Sequence, residues 1–427
     1  MLDINLIRDQ PDIVIKDLER RDDKEKIKWV SEIRKMDAEW KNLHQEVDEL
    51  RHQRNKLSME VSELKKAGKD ASKQLQKAKE IPLLVEEKEK RKEELKEKID
   101  FFLMNLPNIL HESVPLGASD EDNKMIKLVG KKPNFDFEPK THIELCEDLD
   151  LIDTERAGKI AGTRFYFLKN ELAILDHALQ AYAMDFMLKK KYTIMRTPDM
   201  LRKDVLKGAV SLNEFEDVIY KIENEDLYLI GTAEHTLNGF YSGETLDEGK
   251  LPVKFAGISS CYRKEAGTHG KDTKGVFRVH EFRKVEQFII SKPDESWKLH
   301  EELLNNAVEF WESLKIPFRV VNICTGDMGT IATKKYDLEA WMPGSKTYRE
   351  IVSCSHCTDY QSRRTNIRMR TKKGNIFPHT LNSTVVATPR ALTVILENYQ
   401  QKDGSVKIPS VLVPFMNGIK EIRKRNN

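Results

Sequence analysis

The stretch YRKEAGTHGKDTKGVFRVHEFRKVEQF, residues 262–288, carries two charged runs on either side of a loop rich in glycine and lysine. Phe277 and Val279, then Val285, Gln287 and Ile289, keep a period of two, so Tyr262–Ala266 and Val276–Ile290 read as the strands of an antiparallel hairpin. Gly267, Gly270 and Gly275 make the connection supple, and His269, Lys271 and Lys274 make it cationic. Arg263, Lys264 and Glu265 lie on the outgoing run; Arg278, Arg283, Lys284 and Glu286 lie on the returning one. Two explanations fit such a pattern. One is a solvated outer face with cross-strand ion pairs. The other is a polyanion site, in which planar guanidinium groups grip phosphate and neighbouring carboxylates read amines or hydroxyls. The spacing leaves both open.

Outside the hairpin, bulk properties set bounds. A chain of 427 residues has room for about two or three domains. Lys+Arg 72 against Asp+Glu 70 leaves a formal charge of +2, so only local clustering can point to a polyanionic partner. Charged residues make up 33% of the chain, as expected if part of it is an exposed helical arm with little core. No run approaches the ~20 apolar residues of a membrane span. The opening MLDINLIRDQPDIV has early acids and no long apolar core, unlike a secretory signal. Five cysteines, an odd number without framework spacing, suit a reducing cytoplasm better than a disulfide scaffold.

Residues 1–25 read as short helical or turn pieces that Leu2, Ile4, Leu6, Ile13, Val14 and Leu18 could dock. From about Ile27 to Lys66, Met36, Trp40, Leu43, Val47, Leu50, Leu57, Val61 and Leu64 follow the three-and-four spacing of a heptad seam, with Arg54 its one polar member. Ala67-Gly68-Lys69-Asp70 breaks it as a turn. A second helix, about Ala71–Met104, has a clear seam late, at Leu95, Ile99, Phe102 and Leu106, and a thin one at Lys88 and Lys92; Pro82 is expected to kink it. A short turn makes the two antiparallel, an αα-hairpin, and forty residues would reach roughly 60 Å. Such a rod serves dimerisation or spacing, or it presents Lys and Arg to nucleic-acid phosphates, and its Lys/Glu mixture decides neither. Residues 105–140 are rich in Pro, Gly, Asn and Asp, and 111–140 reads as a linker.

Further on, Thr163–Leu168 reads as a strand, Asn170–Lys189 as an amphipathic helix and Tyr192–Thr197 as a strand ended by Pro198. Asp226–Ile230 is a short strand running into Gly231-Thr232-Ala233-Glu234, where Thr232 can cap a helix. Trp297–Leu314 is a core-facing helix; Phe318–Ile323 and Arg349–Ser355 are strands. On the last, Glu350 and Ser353 offer oxygen ligands of the kind that Mg²⁺ takes together with phosphate and water. The run QSRRTNIRMR, 361–370, reads as a strand, its Arg363, Arg364, Arg368 and Arg370 either on a solvated face or in contact with a polyanion. Cys354-Ser355-His356-Cys357 lacks a fourth zinc ligand and a second C-x-x-C, so zinc is not expected. Pro389 stands near the start of a helix to Gln400, and the tail IKEIRKRNN is basic.

The stretch from 262 to 288 resembles motif 2 of the class II aminoacyl-tRNA synthetases, and its EAG, RVHEF and KVEQF segments are similar to the seryl-tRNA synthetase family. Motif 1 is matched at about 170–198, motif 2 at about 261–288 and motif 3 at about 382–400, so the resemblance covers nearly the whole chain. It implies an α+β protein: residues 1–110 as a tRNA-binding domain with an antiparallel coiled-coil arm, and 141–427 as a class II catalytic domain built on a mainly antiparallel sheet flanked by helices. It further implies L-serine, ATP with Mg²⁺, and tRNA(Ser) as substrates, a homodimer formed through motif 1, and a cytoplasmic location.

The resemblance also assigns roles. Arg263 would hold the α-phosphate and the amino acid carboxylate together, and Arg390 the γ-phosphate of a bent ATP. Lys264, Glu265, Val279, Phe282, Glu350, Ile351, Val352 and Ser353 would complete the ATP site, with Phe282 stacked on adenine and Glu350 and Ser353 at the metal. Thr232, Ala233, Glu234, Glu286, Asn382 and Thr384 would meet serine; here Asn-Ser-Thr stands where many relatives have Asn-Gly-Ser, which keeps the hydroxyl. Arg51, Arg54, Lys65, Lys66 and Lys69 would be tRNA contacts, and the Gly267–Gly275 loop would meet the acceptor end. The residues do not decide whether tRNA(Sec) is a second acceptor. A binding protein that lost the chemistry is disfavoured because Arg263, Glu265, Glu286, Glu350 and Arg390 are all present, and a carrier-protein ligase because of the long arm.

Overall fold

Long runs of Lys, Glu and Leu without glycine keep the N-terminal part of the chain helical. The computed structural model describes residues 1–210, 218–265 and 275–425, which form two units, Met1–Leu106 and Pro107–Asn427. The first consists of α1 (Ile4–Asp9), α2 (Pro11–Arg20), α3 (Lys24–Lys66) and α4 (Ser72–Asn105). Asp23 starts α3 by accepting a hydrogen bond from Lys26 N at 3.1 Å. Gly68, at φ +66°, turns the chain back in a conformation that disfavours a side chain. All eight apolar members of the expected seam are buried or half-buried, and Arg54 is exposed.

Where the second helix's seam is thin, its lysines lie inward as ion pairs: Lys88 meets Glu46 at 2.5 Å, and Lys92 meets Glu89 at 2.9 Å while lying 5.8 Å from the Trp40 ring. Pro82 does not interrupt α4, because it is exposed and removes a hydrogen bond only on the wet side. In the first residues Leu2, Val14 and Leu18 are buried as expected, but Ile7 is buried in addition and Ile13 is 42% exposed. The break at Gln10-Pro11 resets the helical face between α1 and α2. Arg8 then ties α1 to α3 through both Asp37 oxygens, at 2.8 and 2.6 Å.

The second unit is built on an eight-stranded sheet. Its strands are β1 (Lys124–Val129), β2 (Thr193–Arg196), β3 (Val253–Tyr262), β4 (Glu281–Ser291), β5 (Phe318–Asn322), β6 (Lys334–Met342), β7 (Thr347–His356) and β8 (His379–Ala387). They lie in the order β1-β5-β6-β7-β8-β4-β3-β2, antiparallel except for β2 beside β3. Four helices matter for the site: α5 (Asn170–Lys189), α6 (Ala233–Gly239), α7 (Ser296–Ser313) and α8 (Thr388–Tyr399). Residues of α5, α7 and α8 join the sheet in one large core, in which fully buried Trp311 donates Nε1–H to Val385 O at 3.2 Å.

Several boundaries differ from expectation. Within 111–140, expected to be a linker, Lys124–Val129 pairs with Phe318–Asn322 as an edge strand. Five of its six side chains are exposed, so backbone pairing holds it without an apolar signature. The hairpin ladder runs over 253–262 and 281–290, upstream of the expected outgoing strand and starting later on the return. Central strand β4 is covered on both faces from Lys284 onward, so period two could not locate its ends. The loop calls on 267, 269, 270, 271 and 274, and the last residues of the basic tail, lie outside the described residues. Thr163–Leu168 contributes only the two-residue strand Phe167–Leu168. In 361–370, expected to be one strand, Tyr360–Thr365 is a helix ended by left-handed Asn366, and Arg368–Thr371 belongs to a separate three-stranded sheet.

Trp311→Ala is expected to cost about 3–5 kcal/mol through the cavity it leaves, whereas Arg91→Ala, which breaks solvent-screened pairs to Glu39 and Glu94, is expected to leave the unfolding midpoint almost unmoved. Denaturant titration of the two variants checks the contrast.

Candidate active site

The site is a cavity of about 550 Å³ over β4, β7 and β8, bounded by the starts of α6 and α8. Antiparallel pairing creates it. Glu286 stands opposite Thr384 in the β4–β8 ladder, and Ser355 opposite Asn382 in the β7–β8 ladder. On the other side of β4, Glu286 stands opposite Gly257. A Cβ at Gly257 would lie 2.8 Å from both Ala233 and Leu237, so the glycine lets α6 settle on the sheet with its N-terminus at the cavity.

One end of the cavity is hydroxylic and acidic. Thr232 caps α6 by accepting from Glu234 N at 3.3 Å, as its sequence predicts. Asn382 Nδ2 and Gln361 Nε2 donate to Glu234 Oε1 at 3.0 and 2.7 Å. Thr384 Oγ1 lies 3.5 Å from Glu286 Oε2, and buried Lys284 forms an ion pair with Glu286. Burial, together with repulsion from Glu286, pushes the Glu234 carboxyl up to about 7, against the pull of Gln361, Lys284 and Arg263. Burial raises Glu286 as well, opposed by Lys284 and Arg263. Next to them His235 is pushed down to about 3 by burial and by the Arg263 and Lys284 charges, so it is neutral, and its Nδ1 accepts from Gly231 N at 3.3 Å.

The rest of the cavity is cationic. Arg263 donates Nε–H to Gly231 O at 3.2 Å, and its guanidinium lies 5.2 Å from the Phe282 ring centre. Glu265 accepts from Arg278 Nη1 at 2.9 Å, realising the ion-pair explanation at that position. Arg390, in the first turn of α8, donates Nη1–H to Glu350 O at 2.9 Å and lies 3.1 Å from Glu350 Oε1. Withdrawal from water raises the Glu350 carboxyl, but Arg390 and Lys335, with Arg263 further off, outweigh it and hold it below its usual range. Val279, Ile351 and Ser353 line the same cavity.

Most of the expected site residues therefore converge, and three do not. Ala233 is buried in a hydrophobic cluster under α6, the Val352 side chain points into the main core, and Lys264 bonds through its backbone to Val218 O at 2.9 Å without lining the cavity. Arg363 and Arg364 turn to protein groups, Arg363 to Asp359 at 2.7 Å and Arg364 to the carbonyls of Lys207 and Val210 at 3.2 and 2.8 Å. Lining residues with no assigned role in the sequence reading include Phe277, Arg278, Lys284 and Lys335. Two guanidinium groups lie near the Phe277 ring centre, Arg349 at 4.1 Å and Arg390 at 5.2 Å. Lys335 pairs with Asp337 at 3.2 Å, and nothing in the spacing of its strand set it apart. In the first unit Arg51 is ion-paired with Glu89 at 2.9 Å, and Arg54, Lys65, Lys66 and Lys69 are exposed.

Among the described residues no group of three or more His, Cys, Asp or Glu is placed to hold a metal. One carboxylate and one hydroxyl, Glu350 and Ser353, suit a Mg²⁺ ion that brings phosphate and water oxygens with it. All five cysteines are free and buried, with Cys357 lining the cavity.

Residues 1–110 match the model of the seryl-tRNA synthetase N-terminal domain, and residues 217–399 that of the tRNA synthetase class II core domain (G, H, P, S and T). The serine--tRNA ligase of Pyrococcus horikoshii is 50% identical over 444 aligned positions, covering 99% of this chain and 97% of that protein. A crystal structure of seryl-tRNA synthetase from Pyrococcus horikoshii complexed with ATP has a TM-score of 0.95 at 49% identity, with 100% of both chains covered. The cytoplasmic serine-tRNA ligase of Naegleria fowleri, in complex with AMP, has a TM-score of 0.90 at 34% identity, covering 100% of this chain and 99% of that one. With both units matched and about half of all positions identical along the chain, this protein belongs to the seryl-tRNA synthetase family of class II aminoacyl-tRNA synthetases.

Proposed function

We propose that the cavity joins L-serine to ATP and that the seryl group then passes to tRNA(Ser). The activity is that of a class II serine–tRNA ligase. One observation carries the assignment of parts: Arg263 and Arg390 open into the same cavity as Thr232, Glu234, Glu286, Asn382 and Thr384. A polyanion and a small amine-bearing, hydroxyl-bearing molecule thus have adjoining places. The ATP named with the Pyrococcus horikoshii structure and the AMP named with the Naegleria fowleri one support a nucleotide at the cationic end.

In the first step the serine carboxylate attacks the α-phosphorus, and the bond from that phosphorus to the bridging oxygen breaks as pyrophosphate leaves. Attacking carboxylate and phosphate repel each other. Arg263, held by Gly231 O and backed by Phe282, offsets that repulsion and the charge that builds at the α-phosphate. Phe282 gives the adenine a stacking face, and Val279 and Glu265 border it. Arg390 takes the γ-phosphate. Glu350 and Ser353 are the residues to meet Mg²⁺, which enters as part of the nucleotide substrate. Glu286 and Glu234 attract the serine ammonium, and Thr384 with Glu286 reads the hydroxyl. In the second step the terminal ribose hydroxyl of the tRNA attacks the seryl carbonyl, and AMP leaves. Positioning and fixed charge supply the acceleration, with no covalent enzyme intermediate.

The remaining assignments belong to the same proposal. Residues 1–110 bind tRNA through the α3–α4 arm, where Arg54, Lys65, Lys66 and Lys69 are exposed and Arg51 would exchange Glu89 for phosphate. A second copy of the chain docks along α5 and β2, at the edge of the sheet. Free buried cysteines, and the lack among described residues of a helix long and apolar enough to cross a membrane, are compatible with the cytoplasm.

ATP–pyrophosphate exchange tests the chemistry. Serine is expected to support it and alanine, which lacks the hydroxyl, to be slower by roughly 10⁴-fold in kcat/KM; exchange with another amino acid and none with serine would overturn the substrate. Arg263→Ala is expected to abolish exchange while the variant remains folded by circular dichroism. Excising 52–88 and closing Arg51 to Glu89 with a short turn joins residues already ion-paired at 2.9 Å. That protein is expected to keep serine-dependent exchange and lose at least about tenfold in tRNA charging, the scale of a few lost phosphate contacts. Unimpaired charging would remove the arm from tRNA recognition.

A further inference from the structure

Gln361 lies outside the cavity and is fully buried, on the short helix Tyr360–Thr365. Its amide is fixed at both ends. Nε2 donates to Glu234 Oε1 at 2.7 Å, and Oε1 accepts from the Thr380 hydroxyl at 2.6 Å. Thr380 is also fully buried, and the amide is kept from flipping because a flip would set its oxygen against the Glu234 carboxylate, which as an anion can only accept. Asn382 Nδ2 donates to the same Glu234 oxygen at 3.0 Å. Two N–H groups therefore saturate Oε1, and among the described residues Oε2 has no donor. Glu234 lines the cavity, so Oε2 is the oxygen left for a ligand.

We infer that Gln361 is a positioning residue for amino acid binding: the chain Thr380–Gln361–Glu234 fixes one carboxylate oxygen by hydrogen bonds so that the other meets the substrate's ammonium group. This rests on the reading of the cavity as a serine site. A carboxylate facing the cavity at this depth needs such help. Burial and the nearby Glu286 both favour the neutral acid, and a neutral acid gives an ammonium group no counter-charge. N–H donors favour the ionised form, and those on Oε1 do so without occupying the ligand's side. Gln361 is invisible to a search for contact residues because it never reaches the substrate.

The experiment is serine-dependent ATP–pyrophosphate exchange by the full chain across about two pH units either side of neutral, for the wild type, Gln361→Ala and the near-isosteric Thr380→Val. A carboxyl raised to about 7 is ionised only above that pH, so the acidic limb of kcat/KM for serine falls near neutrality in the wild type. Losing a donor raises the group further and moves the limb to higher pH. Gln361→Ala is expected to raise the serine KM about tenfold, leave the ATP KM within about twofold, and move the limb up by on the order of one pH unit. Thr380→Val is expected to move serine KM and limb in the same direction by less. An unmoved limb with serine and ATP KM rising together, or no change in either variant, would overturn the inference. If Gln361→Ala does not fold, an unmoved limb in Thr380→Val overturns it alone. Absence of serine-dependent exchange in the wild type would instead sink the serine reading itself.

Discussion

The ladder between β4 and β8 is the constraint from which the site follows. Its register sets Glu286 against Thr384, so a carboxylate and a hydroxyl 98 residues apart in sequence come to 3.5 Å. The same strand places Glu286 across from Gly257, and the missing side chain there lets the capped start of α6 deliver Thr232 and Glu234. A slip of one residue would turn Glu286 and Thr384 to the opposite face. The slip is resisted because both faces are committed: Val285 and Val385 lie in the large core, and Phe288 and Ile290 in the cluster under α6.

Charge is then arranged by sign along one cavity. At the acidic end two carboxylates are kept from water, and Lys284, Arg263 and the amide donors of Gln361 and Asn382 offset the cost of ionising them. At the other end Arg263, Arg390 and Lys335 outnumber Glu350. Arg263 stands where the two meet, which under the proposed function is where an amino acid carboxylate and a phosphate are brought together. The groups are held before any substrate arrives: Arg390 by Glu350, Arg263 by Gly231 and Phe282. Such preorganisation is what a reaction with no covalent intermediate requires of its protein.

The seryl-tRNA synthetase family was legible in the sequence because its motifs are contiguous. Arg263, Glu265, Glu286, Glu350, Arg390 and the Thr232–Glu234 turn could each be named from short segments, and all five charged residues line the cavity. The arm was legible for a different reason. A heptad seam is a one-dimensional pattern, and every apolar position from Met36 to Leu64 on that seam is buried or half-buried. Errors fell where local pattern carries little. An edge strand with five exposed side chains looks like a linker, and a strand covered on both faces has no period to mark its ends.

Local sequence therefore determined the long helices, which way the arm folds back, where Thr232 caps α6, and which charged residues belong to the motifs, since each depends on residues a few positions apart. Pairing across the sheet decided the rest. It covered Lys284 and Glu286, neighbours on one face of β4, so that they pair out of water, and sent Val352 into the core while Glu350 and Ser353 face the cavity; packing of the helix Tyr360–Thr365 turned Arg364 onto backbone carbonyls and set Gln361 behind Glu234. The partners in such contacts are brought together by strand register and burial, and long-range hydrogen bonding and desolvation leave no mark in the spacing of a single chain.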